Sequence, residues 1–139
     1  MKKYIYLFVS NLLLFFIFPI IRLLNKSFYE KNILPKLINF TCNSRPIDYQ
    51  RKKVIPDATG KVLEIGIGPG SNLKHYDNEK VSKIIGVDPS KELNTIAKKR
   101  ADSKELDIEF LIESASNLSV DSESIDTVVS TYALCSIPE

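Results

Sequence analysis

Three glycines at alternate positions, Gly66, Gly68 and Gly70, close an apolar run, Val62-Leu63-Glu64-Ile65, that carries a single carboxylate. An apolar run of this length suits a parallel strand buried on both faces. A glycine turn at its carboxyl end brings backbone close to a nucleoside ligand, and Ser71-Asn72-Leu73-Lys74 can open a helix, expected over 71–76. The glycines alone do not fix the ligand. A dinucleotide fingerprint requires glycine where Ser71 stands, and the Gly-Lys-Ser/Thr of a phosphate-cradling loop is absent. Glu64 is expected at the mouth of the site, where a carboxylate repels a pyrophosphate and attracts an ammonium. The other reading of Glu64 is a buried carboxylate paired with a neighbouring basic group. Asp88, 22 positions after Gly66, lies near the ~20-residue offset at which an acidic side chain meets ribose hydroxyls. Asp88-Pro89-Ser90 equally suits the start of a helix.

These residues need a frame, and the hydrophobic pattern supplies one. Asp57-Ala58-Thr59-Gly60 is a turn, and the central strand begins at Lys61 or Val62. A second strand is expected over 81–87, followed by a helix with Leu93, Ile96, Ala97 and Ala101 on one face and Lys98, Lys99 and Arg100 largely outside. Ile108, Phe110 and Ile112 alternate as a third strand, which runs into Glu113-Ser114-Ala115-Ser116-Asn117-Leu118. A fourth strand is expected from Ile125 to Ser130. Strand alternating with helix predicts an α/β fold, a Rossmann-like doubly wound parallel sheet with right-handed crossovers.

The bulk numbers bound the function. With 139 residues there is room for one domain and an appendage, and a net charge of +2 is too small to imply nucleic acid. One His and two widely separated Cys, Cys42 and Cys135, argue against a structural metal and make free thiols the expectation. His75, the only histidine, is expected to face solvent or pack beside a helix, with assistance to a reaction as the alternative.

Tyr4 to Leu24 is apolar except for Ser10, Asn11 and Arg22. About 20 helical residues span a bilayer core, so residues 1–26 are expected to be an apolar anchor helix, spanning or in-plane. Arg22, Lys26, Lys31 and Lys36 outnumber Lys2 and Lys3, which orients the remaining chain toward the cytoplasm. Residues 27–56 read as an amphipathic helical lid or linker, with Pro35 expected to kink or divide it. The basic run Arg51-Lys52-Lys53 has two readings, contact with anionic headgroups or a solvated helix face.

From about Ser27 onward the chain resembles the class I S-adenosylmethionine (SAM)-dependent methyltransferases. The resemblance rests on EIGIGPG (Glu64 to Gly70), VDPS (Val87 to Ser90), ESASNL (Glu113 to Leu118) and IDTVVSTYALCSIPE from Ile125. ILPKLINF, RPI, SNLKHYD and ALCSIP are most similar to a membrane-associated group whose relatives include thiol and phospholipid methyltransferases. The resemblance implies SAM as cofactor, with Glu64, Gly66, Gly68 and Gly70 toward its methionine part and Asp88 on ribose. Ser114 and Ala115 are implied beside adenine, although Ser114 stands where Asp is frequent. Ser130, Thr131 and Tyr132 are implied at the substrate mouth. It further implies a membrane-associated enzyme methylating a lipid or small lipophilic acceptor. The implied sheet order is 3-2-1-4-5-7-6, so residues 57–139 are expected to be the N-terminal half of the domain, inactive alone. A SAM-binding remnant without catalysis and an NAD-binding dehydrogenase domain are the rival expectations.

Overall fold

The computed structural model describes residues 19, 20, 23, 25–104, 106–121 and 123–137. The expected anchor, Tyr4 to Leu24, thus falls outside the described residues except for Pro19, Ile20 and Leu23. Among the described residues no helix is long and apolar enough to cross a membrane.

Residues up to Leu37 form one compact unit and residues from Ile38 a second. In the first, Asn25 caps a short helix, α1 (Lys26–Phe28), by accepting from the Phe28 N–H at 2.9 Å. The chain continues through a π-helical turn (Tyr29–Ile33) into α2 (Leu34–Cys42). Pro35 does not divide this helix. A proline's ring crowds the carbonyl one turn earlier, and the widened π turn lies on that side of it.

The second unit is built on four parallel strands, β1 (Gly60–Ile65), β2 (Val81–Val87), β3 (Ile108–Leu111) and β4 (Thr127–Ser130). Their order is β3-β2-β1-β4, with every pairing parallel, as the alternation of elements leads one to expect. The last two strands are shorter than their apolar runs. Ile112 lies beyond β3 and is half exposed, and Ile125 precedes β4.

Alternation of side chains sorts the strands into two cores. Val62 and Ile84 face Leu73, Tyr76 and Ala101, with Ile55 and Ala58 completing that side. Leu63, Ile85 and Val87 form the other side with Ile65, Leu111, Leu118, Val120 and Ile125. Ile84 and Val62 are fully buried, which stabilises the fold by about 1.5–3 kcal/mol each. Two helices flank the strands. α3 (Arg45–Val54) precedes β1, and α4 (Lys91–Ala101) connects β2 to β3.

One expected element is replaced. The helix expected over 71–76 is a series of turns with a single 3-10 turn, Leu73–His75. Two side chains explain why. Asn72 turns into the core instead of capping, and Tyr76 adopts an extended backbone (φ −66°, ψ 142°) that carries its hydroxyl beneath β1. An Asn that bonds elsewhere competes with helix formation.

Candidate functional site

The carboxyl ends of β1, β2 and β4 meet at the glycine turn, where an open α/β sheet offers a crevice. Gly66 and Gly68 hold positive φ values of 69° and 55°. Both line a cavity of about 290 Å³ together with Arg51, Asp88, Leu93, Thr131, Tyr132 and the end of α2. A Cβ at Gly68 would meet little within 4 Å, so that backbone faces open space. A second cavity of about 430 Å³ shares Gly66, Asp88 and Leu93 and extends past Val87 to Ser114 and Ala115. Gly70 faces elsewhere. A Cβ there would stand 3.1 Å from Ala97 of α4, so this glycine lets helix and turn pack closely rather than lining either cavity.

Asp88 sits at the junction of the two cavities, 8% exposed. Its carboxylate accepts from the Gly68 N–H at 3.0 Å and from the Ser90 N–H at 2.9 Å. Burial raises its pKa against the opposing pull of those two bonds. The reading of Asp88 as the helix cap is corrected. Ser90 is the N-cap of α4, its hydroxyl accepting from the Leu93 N–H at 3.2 Å. Asp88 instead ties the glycine turn to the end of β2. A carboxylate has about four acceptor positions, so capacity remains for hydroxyls presented from the cavities.

Glu64 does not lie at the mouth. It is 1% exposed, on the same face of β1 as Val62, beneath the glycine turn. Its oxygens accept from the Tyr76 hydroxyl at 2.8 Å and from Asn72 Nδ2 at 2.9 Å. Burial pushes its carboxyl up to about 7, opposed by those two hydrogen bonds and by the more distant Arg51 charge. The partners of this buried carboxylate are therefore neutral, and the basic group acts through Asn72.

Arg51 was not legible as a site residue. The basic run was expected on lipid or in water, and Lys52 and Lys53 are exposed, but Arg51 is 5% exposed. α3 turns it inward, where Nη1 donates to Asn72 Oδ1 at 2.6 Å and to Thr131 Oγ1 at 2.7 Å. Its guanidinium lies 5.3 Å from the centroid of the Tyr132 ring. Its Nε has no hydrogen-bond partner among the described residues. Among the described residues no carboxylate hydrogen-bonds this buried cation, so it has the chemistry to pair with an anionic group. A helical-period argument from Ile47 and Ile55 could have marked this face of α3 as inward.

The other predicted residues divide. Thr131 and Tyr132 line the smaller cavity. Tyr132 is held at φ 60°, a strained backbone for a bulky residue, and is 58% exposed at the rim. Ser114 and Ala115 line the larger cavity, and the Ser114 hydroxyl lies 2.7 Å from that of Ser116. Ser130 lines neither, and its buried hydroxyl lacks a partner among the described residues. His75 is outside the site, with Nε2 2.8 Å from Asp48 Oδ1, a carboxylate also paired with Lys74. Cys42 lines the smaller cavity and Cys135 is exposed, both as free thiols. No group of three or more His, Cys, Asp or Glu among the described residues is arranged for a metal ion.

Comparison with known proteins gives this geometry a family. Residues 62–139 match the model of a methyltransferase domain. An uncharacterized methyltransferase of Bacillus mycoides is 41% identical over 81 residues, covering 58% of this chain and 35% of that protein. A Bacillus anthracis counterpart is 40% identical over the same shares. The chain thus spans about a third of the length of these relatives. Among solved structures, the YcgJ protein of Bacillus subtilis is 29% identical, with a TM-score of 0.51 over 61% of this chain and 36% of that one. A SAM-dependent methyltransferase fold from Methanococcus maripaludis superposes with a TM-score of 0.63 at 22% identity, over 76% of this chain and 52% of that one. The turn, the acidic strand end and the parallel sheet all lie within or beside the matched residues, and the chain belongs to the methyltransferase domain family.

Proposed function

We propose that this chain carries the cofactor half of a membrane-associated, SAM-dependent methyltransferase acting on a lipid or small lipophilic acceptor. The observation that carries the cofactor assignment is the placement of Asp88 between two joined cavities, with glycine backbone on one side and Ser114-Ala115 on the other. A ribose at Asp88 would put adenine toward Ser114 and Ala115. The methionine part would then run along Gly66 and Gly68 toward Arg51. The residues fit such a ligand. Asp88 retains acceptor capacity, the Gly68 backbone is open, and the Arg51 cation is matched to a carboxylate. Ser71, standing where a dinucleotide fingerprint requires glycine, disfavours NAD.

When bound, SAM supplies a methyl carbon activated by its sulfonium. The protein's part is alignment and exclusion of water, for which effective molarities are large. Arg51 and Asp88 would fix the two ends of the cofactor, and Tyr132 would border the acceptor at the rim. The membrane part of the proposal rests on the apolar run Tyr4 to Leu24 and its flanking cations. Retention in the membrane pellet after an alkaline carbonate wash supports it, and release into the soluble fraction removes it.

Photolabelling tests the cofactor assignment. Ultraviolet irradiation with methyl-labelled SAM should place label in peptides containing Gly66–Gly70 or Val87–Leu93, displaced by S-adenosylhomocysteine and not by NAD. Displacement by NAD alone would favour the dehydrogenase reading. A second reading, binding without turnover, is favoured by the outer edge of β4, which pairs with no strand among the described residues and leaves Val128 61% exposed.

A further inference from the structure

A further cavity of the second unit lies away from the candidate site. It is a groove of about 650 Å³ between α4 and β3, the edge strand on the opposite side of the sheet from β4. Its floor is apolar. Ile108 and Phe110 point to this face and are only partly buried by the core, with Leu106 and Ile112 at the two ends. Ile112 is 50% exposed. One wall is a stripe of α4, where Lys91, Thr95, Lys98 and Asp102 recur at helical spacing, and Lys104 extends it. All three lysines are exposed, and among the described residues none forms an ion pair. Among the described lining residues, three cations stand against one carboxylate, Asp102, which gives this wall a net positive charge. Asn94, 6% exposed, also lines the groove, and its Oδ1 has no partner among the described residues.

An apolar floor beside a cationic wall is the complement of an anionic amphiphile. The size restricts the choice further. A cavity of this volume holds a small molecule and not a folded partner. A bare phosphate would use the wall and leave the floor wet, whereas an acyl segment covers Ile108, Phe110 and Ile112. We propose that the groove between α4 and β3 binds an anionic phospholipid, its headgroup at Lys91, Lys98 and Lys104 and the start of an acyl chain on β3. Lysines next to an anionic lipid surface contribute in this sense. The inference does not depend on the anchor or on the cofactor assignment, because every residue in it lies outside both.

The test uses the whole chain with vesicles of phosphatidylcholine carrying a trace of photoactivatable phosphatidylglycerol or photoactivatable phosphatidylcholine, with crosslinks mapped by mass spectrometry. Crosslinks at residues 106–112 are expected with phosphatidylglycerol and not with phosphatidylcholine. In a Lys98→Glu, Lys104→Glu variant the yield at those residues should fall roughly 30-fold. A Lys98→Gln, Lys104→Gln variant should give an intermediate loss, and matching circular dichroism spectra establish that both variants are folded. Equal crosslinking by the two lipids overturns the proposal, as does absence of crosslinks at 106–112 or an unchanged yield in both variants. Displacement by millimolar inorganic phosphate alone also overturns it, because the site would then be one for free phosphate.

Discussion

At the scale of single residues, the account turns on three buried charges with different surroundings. Glu64 has neutral donors on both oxygens, and burial raises it to about 7. The folded protein then holds that proton more tightly than the unfolded chain. The stability it contributes is fully present below about pH 4.5 and is lost as pH rises toward about 7, amounting to about 3 kcal/mol. Asp88 is shifted in the same direction and adds to the trend. A Glu64→Gln variant should fold, because its amide can donate to Tyr76 and accept from Asn72. Its denaturant midpoint should change much less between pH 4.5 and 7.5 than the parent's. An equal decline in both proteins would show that Glu64 does not titrate in that window. Arg51 makes a different prediction, because among the described residues its guanidinium meets only neutral acceptors. Losing a charge-assisted pair costs about 1.5–3 kcal/mol. Arg51→Met should therefore weaken SAM binding roughly 10- to 150-fold by calorimetry. Adenosine, which has no carboxylate, should bind both proteins alike. Parallel losses for the two ligands would assign Arg51 a purely structural role.

At the scale of elements, the parts that could be read from the chain are those set by local pattern. An apolar run placed β2 and alternation placed β3, and the Gly66-to-Asp88 spacing tied the turn to the end of β2. Other parts depend on which way a side chain turns. Arg51, Lys52 and Lys53 are alike in sequence, yet only the first faces inward, because α3 presents one residue per turn to the core. The 3-10 turn at Leu73 has the same origin. Asn72 and Tyr76 are drawn to a carboxylate on a strand, a contact that helix propensity does not register. Gly70 packs against Ala97, and in the sequence nothing distinguishes it from Gly66 and Gly68. With φ at 73° and a Cβ only 2.9 Å from Leu73 Cδ1, Gly70→Ala should destabilise the unit by about 1–3 kcal/mol. Differential scanning fluorimetry would register this as a lowered midpoint, and an unchanged midpoint would show that the turn relaxes freely.

At the scale of the whole molecule, the sheet of the described residues leaves the outer edge of β4 unpaired. Unpaired strand edges promote association, and a domain's net stability is only about 5–15 kcal/mol. The chain is expected to bind SAM without transferring its methyl group at an appreciable rate, because among the described residues only Tyr132 stands at the rim where an acceptor would lie. Labelled SAM with lipid, amine and thiol acceptors would check this, and enzyme-dependent transfer would show that four strands suffice. The central claim is the cofactor site itself, organised by Asp88. Its most direct test is calorimetric titration of the parent chain and of Asp88→Ala, both verified as folded, with SAM and with NAD. The account predicts that the parent binds SAM and not NAD, and that Asp88→Ala binds SAM roughly 10- to 150-fold more weakly. Equal SAM affinity in the two proteins, or tighter binding of NAD by the parent, would contradict it.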